Sequence, residues 1–246
     1  MQSDPFSLSK CDPIWLLWCD GPRAKTFLED VSRALIQSTD PEGEIVTLLG
    51  DSDWRCHLVA GVALVISEYK TFPQLVKLLW GALDGGSWVS PQLAVCLASI
   101  DPDFSVQAKT RIENGCPVVV PPPPASNEAA VGRDVEQSPH GMMSRLARVI
   151  AGFLKLQKDS LPPLGQEMAK RHTEQGPDGP VERSAKTLSA LVYLCSLRPE
   201  CEPWLDQCRA DPTLRRLLAV DLHHGDKIAE EWSKQFSDAL SAFRFS

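Results

Sequence analysis

Trp54 and Trp88 each open an apolar run, and the two stand 34 residues apart: Trp54 to Ile66, and Trp88 to Ile100. Recurrence at a period of this size is the mark of supersecondary units that bury their faces only by stacking on one another. The first run is small and apolar on nearly every side, and its Ala60, Gly61 and Ala63 let a neighbouring helix approach closely. The spacing therefore predicts an all-α chain of stacked antiparallel helix pairs, either a regular solenoid or an irregular helical bundle.

Punctuation along the chain supports that reading. Pro13 to Trp18 is apolar all round and stops at the turn Asp20-Gly21-Pro22, as a lid over the first helix pair would. Phe27, Val31, Ala34 and Leu35 then recur at helical spacing, with Glu29, Asp30 and Arg33 on the opposite face, so one stripe is buried. The short apolar stretch Ile45 to Leu49 fits a strand or a short helix, with Asp51 or Ser52 as N-cap of the helix that follows and runs from Trp54 to Tyr69. Pro73 suits the first turn of a new helix, which Asp84-Gly85-Gly86 ends. Another starts near Pro91 and stops at Asp101-Pro102, and a further one from Phe104 is closed by Asn114-Gly115. Only Cys116 to Val120 fits a short extended piece.

The proline run Pro121 to Pro124 cannot continue a helix and favours the polyproline conformation. It divides the chain into a helical-repeat half (1–116), a Pro-rich spacer and loop (117–140, with Ala125 to His140 polar), and a second helical half (141–246) that can pack with the first as one domain. Helical spacing resumes at Met142, Leu146, Val149, Ile150, Phe153 and Leu154, and breaks at Gln175 to Pro180. It returns at Leu188, Leu191, Val192, Leu194 and Cys195. A last helix, Ile228 to Phe243, carries Trp232, Phe236, Leu240 and Phe243 on one stripe.

Charge narrows the partners. The chain carries 25 basic and 32 acidic residues, a net of −7, which argues against binding a phosphate backbone. Residues 1–120 hold 9 basic and 15 acidic side chains, so nearly all of the excess lies in the first half. The longest strongly apolar run, Leu58 to Ile66, falls well short of the roughly 20 residues that span a bilayer. With no basic stretch leading into an apolar one at the amino terminus, a cytoplasmic protein is expected. Of the eight cysteines, Cys56, Cys96 and Cys195 sit in apolar runs as small hydrophobes, which fits a reducing compartment. No pair among Cys11, Cys19, Cys195, Cys201 and Cys208 has zinc or redox spacing, and a disulfide is allowed without being required.

No motif of known chemistry accompanies this architecture: phosphate loop, nucleophile elbow and zinc-protease helix are all missing. His57 lies on an apolar helix and reads as a structural histidine bonded to a backbone group. Neighbouring side chains on a helix point about 100° apart, so His223 and His224 with Asp226 make a poor metal site and read as a helix end followed by Gly225. No cofactor and no metal are expected. The acidic side chains Asp51, Asp53, Asp84, Asp101 and Asp103 fall at helix junctions, where capping explains about half of the junction carboxylates. The rest would form acidic rims at the ends of a helix stack. Trp54 and Trp88 read as core residues first and exposed anchors second, with Arg55, Ser90 and Gln92 facing outward. These ten positions are the candidate partner-binding set.

Repeated helix pairs with small inner residues and Asp-Pro or Asp-Gly turns resemble HEAT-like α-solenoids, most clearly over residues 51–115. The segments Asp53-Trp54-Arg55 and Gly86 to Leu93, in an acidic helical chain, also resemble helical immunity proteins that neutralise toxins passed between competing bacteria. That resemblance implies a tight inhibitor of a basic toxin or effector, acting by occlusion. The leading expectation is thus a non-enzymatic protein-binding module, with no nucleic acid and no membrane as partner. The alternatives are a helical scaffold or assembly factor, and a helical-repeat DNA glycosylase, which would need a basic groove.

Overall fold

A segment that is apolar all round, as Trp54 to Ile66 is, needs neighbours on every side. They are present in the computed structural model, which describes residues 7–13, 17, 21–116, 180–219, 221 and 224–244. The helices in chain order are α1 (Gly21–Gln37), α2 (Pro41–Leu49), α3 (Trp54–Ile66), α4 (Pro73–Asp84), α5 (Ser90–Ile100), α6 (Phe104–Glu113), α7 (Pro180–Ser196), α8 (Glu202–Ala210), α9 (Pro212–Ala219) and α10 (Gly225–Arg244). Single turns of 3-10 helix at Leu8–Lys10, Glu68–Thr71 and Pro199–Cys201 complete the described elements, which are all helical.

Local chemistry sets the boundaries. Proline stands in the first turn of α2, α4, α5 and α8, where its missing N–H is harmless. Asp40 caps α2 by accepting from the Gly43 N–H at 3.0 Å, and Asp211 caps α9 by accepting from Thr213 and Leu214. Gly115, in the left-handed region at φ 73°, ends α6, and the Cys116 N–H returns to the Arg111 carbonyl at 2.8 Å.

The packing order explains the burial pattern. Helix α3 touches α1, α2, α4 and α5, while α5 touches α3, α4, α7 and α10. Residues Ser90 through Leu97 are consequently all buried. Gly61 lies where an added Cβ would stand 3.3 Å from the Cys96 sulfur, which lets α3 seat directly on α5. Helix α7 touches α5, α6, α8, α9 and α10, so residues 180–244 share one hydrophobic core with residues 21–116. In an open solenoid each unit meets only its neighbours. Stacking from α2 to α5 is compatible with a repeat, but α10 lies against α1 as well as α5 and α7, and so closes the stack into a bundle.

Several expectations need correcting. Of the two readings of Ile45 to Leu49 the short helix holds, as part of α2, but the N-cap of α3 is Asp53, not Asp51 or Ser52. Helix α3 stops at Ile66, where Ser67 turns the backbone extended and the chain continues as a 3-10 turn. Gly225 opens α10 instead of closing a helix, and it is a glycine where an added Cβ would overlap the Lys186 carbonyl. Ile14 to Leu16, Trp18, the extended piece from 117, the proline spacer, 125–140, the helical pattern from Met142 to Leu154, the break up to Gly179, and His223 lie outside the described residues.

Candidate functional site

Two turns and the first half of α7 meet at one end of α3. In the α2–α3 turn, Asp51 Oδ1 accepts from the Asp53 N–H at 2.8 Å, and Asp53 Oδ1 accepts from the Arg55 N–H at 3.0 Å as the N-cap of α3. Each carboxylate uses one oxygen to shape the turn while its charge stays accessible: Asp51 is exposed and Asp53 half-exposed. Trp54 opens α3, and Trp88 comes from the α4–α5 turn. Their rings lie 5.3 Å apart, tilted by 57°. Both are half-buried, with one side against the core, which places them between the two readings as core and as anchor. The Arg55 guanidinium stands 5.8 Å from the Trp54 ring centre and 3.8 Å from Asp53.

A buried polar seam lies beneath the tryptophans. His57 Nε2 is 2.7 Å from the Asp51 carbonyl, which can only accept, so that nitrogen carries the proton. Burial lowers the His57 pKa, outweighing the pull of the nearby Asp51 and Asp53, and keeps the ring neutral. Its Nδ1 therefore accepts from the Ser87 hydroxyl at 3.0 Å. The pair has the spacing of a base and a nucleophile, but His57 and Ser87 are each only 7% exposed. Its evident work is to clip the α2–α3 turn to the α4–α5 turn. Lys186 of α7, 1% exposed, donates to the Trp88 carbonyl at 2.9 Å and lies 5.6 Å from the Trp88 ring centre. Cys56 sits at the same end of α3, and its thiol is pushed up to about 11 by burial first, then by Asp51 and Asp53, so it stays protonated at neutral pH.

Ser90 and Gln92 do not face outward: they are 0% and 2% exposed. Helix α5 packs against four others, and every residue from Ser90 to Leu97 is buried, so polar side chains in that stretch lie inside the core. Ser90 is satisfied by the Thr187 hydroxyl at 2.8 Å. Arg55 is half-exposed, as expected.

The remaining acidic candidates gather elsewhere. Asp84 is the last residue of α4, where the helix dipole disfavours a carboxylate. It is held by Arg111 through two 2.7 Å bonds. The Arg111 guanidinium lies 4.0 Å from the Trp80 ring centre, and Trp80 stacks on Phe104 at 5.7 Å, which carries Arg198 at 4.7 Å. Asp101 accepts from the Trp80 indole N–H at 2.7 Å and from the Asp103 N–H at 2.9 Å. Asp103 is exposed. The structure thus joins Asp51, Asp53, Trp54, Arg55 and Trp88 in one cluster and places Asp84, Asp101 and Asp103 in another.

Sequence reasoning missed Ser87, Lys186, Trp80, Arg111 and Arg198. Lys186 carries the one usable signal, a lysine two residues ahead of the helical stripe that starts at Leu188. Ser87, Trp80 and Arg111 meet His57, Asp101 and Asp84 at separations of 30, 21 and 27 residues, and Arg198 meets the Phe104 ring, all beyond what local spacing can show. Comparison with family models, curated proteins and solved structures returns no match. Among the described residues no helix is long and apolar enough to cross a membrane.

Proposed function

We propose that the chain is a non-enzymatic protein-binding module that docks a basic protein on the Trp54–Trp88 rim. The observation that carries this reading is a tilted tryptophan pair, half out of the core, bordered by the outward carboxylates of Asp51 and Asp53. Tryptophan is prominent among residues that dominate interface energy, and carboxylates at its edge steer a cationic partner. The buried clips beneath, His57 to Ser87 and Lys186 to the Trp88 carbonyl, hold both turns in place before binding, which lowers the ordering entropy of association. The finer form of the proposal is a toxin-neutralising factor that covers the active site of a basic toxin.

The test is co-purification with products of neighbouring reading frames, followed by calorimetry. A nanomolar complex is expected, and Trp54→Ala or Trp88→Ala should each weaken it by about 2 kcal/mol or more. Failure of every neighbouring product to bind at nanomolar strength overturns the toxin-neutralising form, and binding indifferent to both tryptophans overturns the docking surface. Protection of cells by co-expression with the bound neighbour is the further sign of neutralisation.

A further inference from the structure

Among the described residues, two clusters bring together an arginine, a tryptophan and an aspartate, and they differ in tightness. Arg111 sits 4.0 Å from the Trp80 ring centre and grips Asp84 through two 2.7 Å bonds. Arg55 stands 5.8 Å from the Trp54 ring centre and 3.8 Å from Asp53, with its side chain 32% exposed. The first is what a committed stack looks like in this protein; the second is loose in both of its contacts. Lys186 on the Trp88 side is of the other kind, enclosed and bonded to the Trp88 carbonyl. Of these two rim cations, Arg55 is the one held loosely enough to swing away.

We propose that the partner inserts an arginine side chain against Trp54, paired with Asp53, and that Arg55 holds this place loosely in the unbound protein. This rests on the docking reading above and names the chemistry that the rim selects. A guanidinium fits better than an ammonium, because its plane stacks on an indole while its fork meets a carboxylate. Asp51, exposed in the same turn, adds a second negative charge beside Asp53. Swinging Arg55 outward gives up a loose 3.8 Å ion pair and a 5.8 Å ring contact, both partly exposed and of the kind that contribute little to stability.

The probe is a capped Gly-Ser-Arg-Ser-Gly peptide and its lysine twin, titrated into the full chain, with the indole N–H resonances of Trp54 and Trp88 as readout. Removing the competitor by Arg55→Ala should tighten the arginine peptide by roughly 2–5-fold. Arg33→Ala, which deletes an exposed positive charge from α1, controls for bulk electrostatics and should tighten it less. Asp53→Asn, which keeps a capping side chain, should weaken it. An Arg55→Ala gain no larger than that of Arg33→Ala, or an equal gain for the lysine twin, overturns the inference. Its failure is distinct from failure of the docking reading: a partner complex that depends on Trp54 and Trp88 yet ignores Arg55→Ala removes the arginine alone.

Discussion

The Trp80 ladder and the Trp54–Trp88 rim are built from the same materials, tryptophan, arginine and aspartate, at opposite degrees of commitment. In the ladder the charges are consumed internally: Arg111 is shared between Asp84 and the Trp80 face, and Asp101 takes the Trp80 indole N–H. On the rim the carboxylates spend one oxygen on backbone turns and keep their charge toward water. An acidic residue at a helix junction therefore says little by itself. On the docking reading proposed above, a carboxylate gripped as Asp84 is by Arg111 is structural, and one bordering the half-exposed tryptophan pair serves recognition.

The strongest way to break this contrast is to unseat the elements beneath the rim. Gly225 lies against the Lys186 backbone, so α10 and α7 meet with no room for a side chain. Gly225→Ala should destabilise the protein by about 3 kcal/mol, since the overlap is with backbone and cannot be relieved by turning a rotamer. Urea denaturation reads it. A loss below about 1 kcal/mol would show that this seat is slack and that the rim is not anchored through α7.

Removing the ladder's cation should give the next largest effect, and of a different kind. Arg111→Ala strands Asp84 at the carboxyl end of α4 and uncovers Trp80. A stability loss of about 1–2 kcal/mol is expected, below the figure for a fully buried pair because Asp84 is one-third exposed. Partner affinity should be unchanged. A variant equally stable but impaired in binding would reverse the roles assigned to the two clusters.

The His57 clip sharpens the contrast by pH, because the ladder contains no histidine. Burial lowers the His57 pKa beneath its unfolded value of about 6.5. Between the two values the unfolded chain binds the extra proton, so stability rises with pH through that window. The clip's contribution is complete above about pH 6.5 and is lost as pH falls toward the folded value. His57→Gln should flatten this part of the stability profile between about pH 7.5 and 5.5. An unaltered slope would mean that another group titrates there.

Much of the fold was legible because helical periodicity and first-turn prolines are local signals. The α10 stripe of Trp232 and Phe236 is buried as its spacing requires, and Pro73 opens α4. Helices α8 and α9 were not legible, although Leu205 with Trp204 and Cys208, and Leu214 with Leu217 and Leu218, recur at helical spacing against the core: in helices of nine and eight residues the run is too short to stand out. At the site, both tryptophans stand out by their 34-residue recurrence, whereas Asp53 stands out only as one of several junction carboxylates, its capping of α3 lying one or two residues beyond the positions that the turn suggests. The outward reading of Ser90 and Gln92 failed because polarity normally marks a solvent face, whereas the Thr187 hydroxyl that satisfies Ser90 lies 97 residues away. The split of the aspartates between rim and ladder likewise depends on Arg111, a partner 27 residues from Asp84.

The smallest expected effect is also the most selective. Asp51→Asn keeps an oxygen to accept from the Asp53 N–H, so the turn survives and stability should change by only a few tenths of a kcal/mol, as at most exposed positions. What disappears is one outward negative charge beside the rim. Charge at an interface edge acts mainly on encounter, so the association rate with a basic partner should fall several-fold at low salt and converge with the wild type as salt rises. Dissociation should hardly change. Stopped-flow measurements at two ionic strengths separate the two rates: an Asp51→Asn defect that persists at high salt would make Asp51 a direct contact, while the matching Asp103→Asn change, next to the ladder, should leave association untouched.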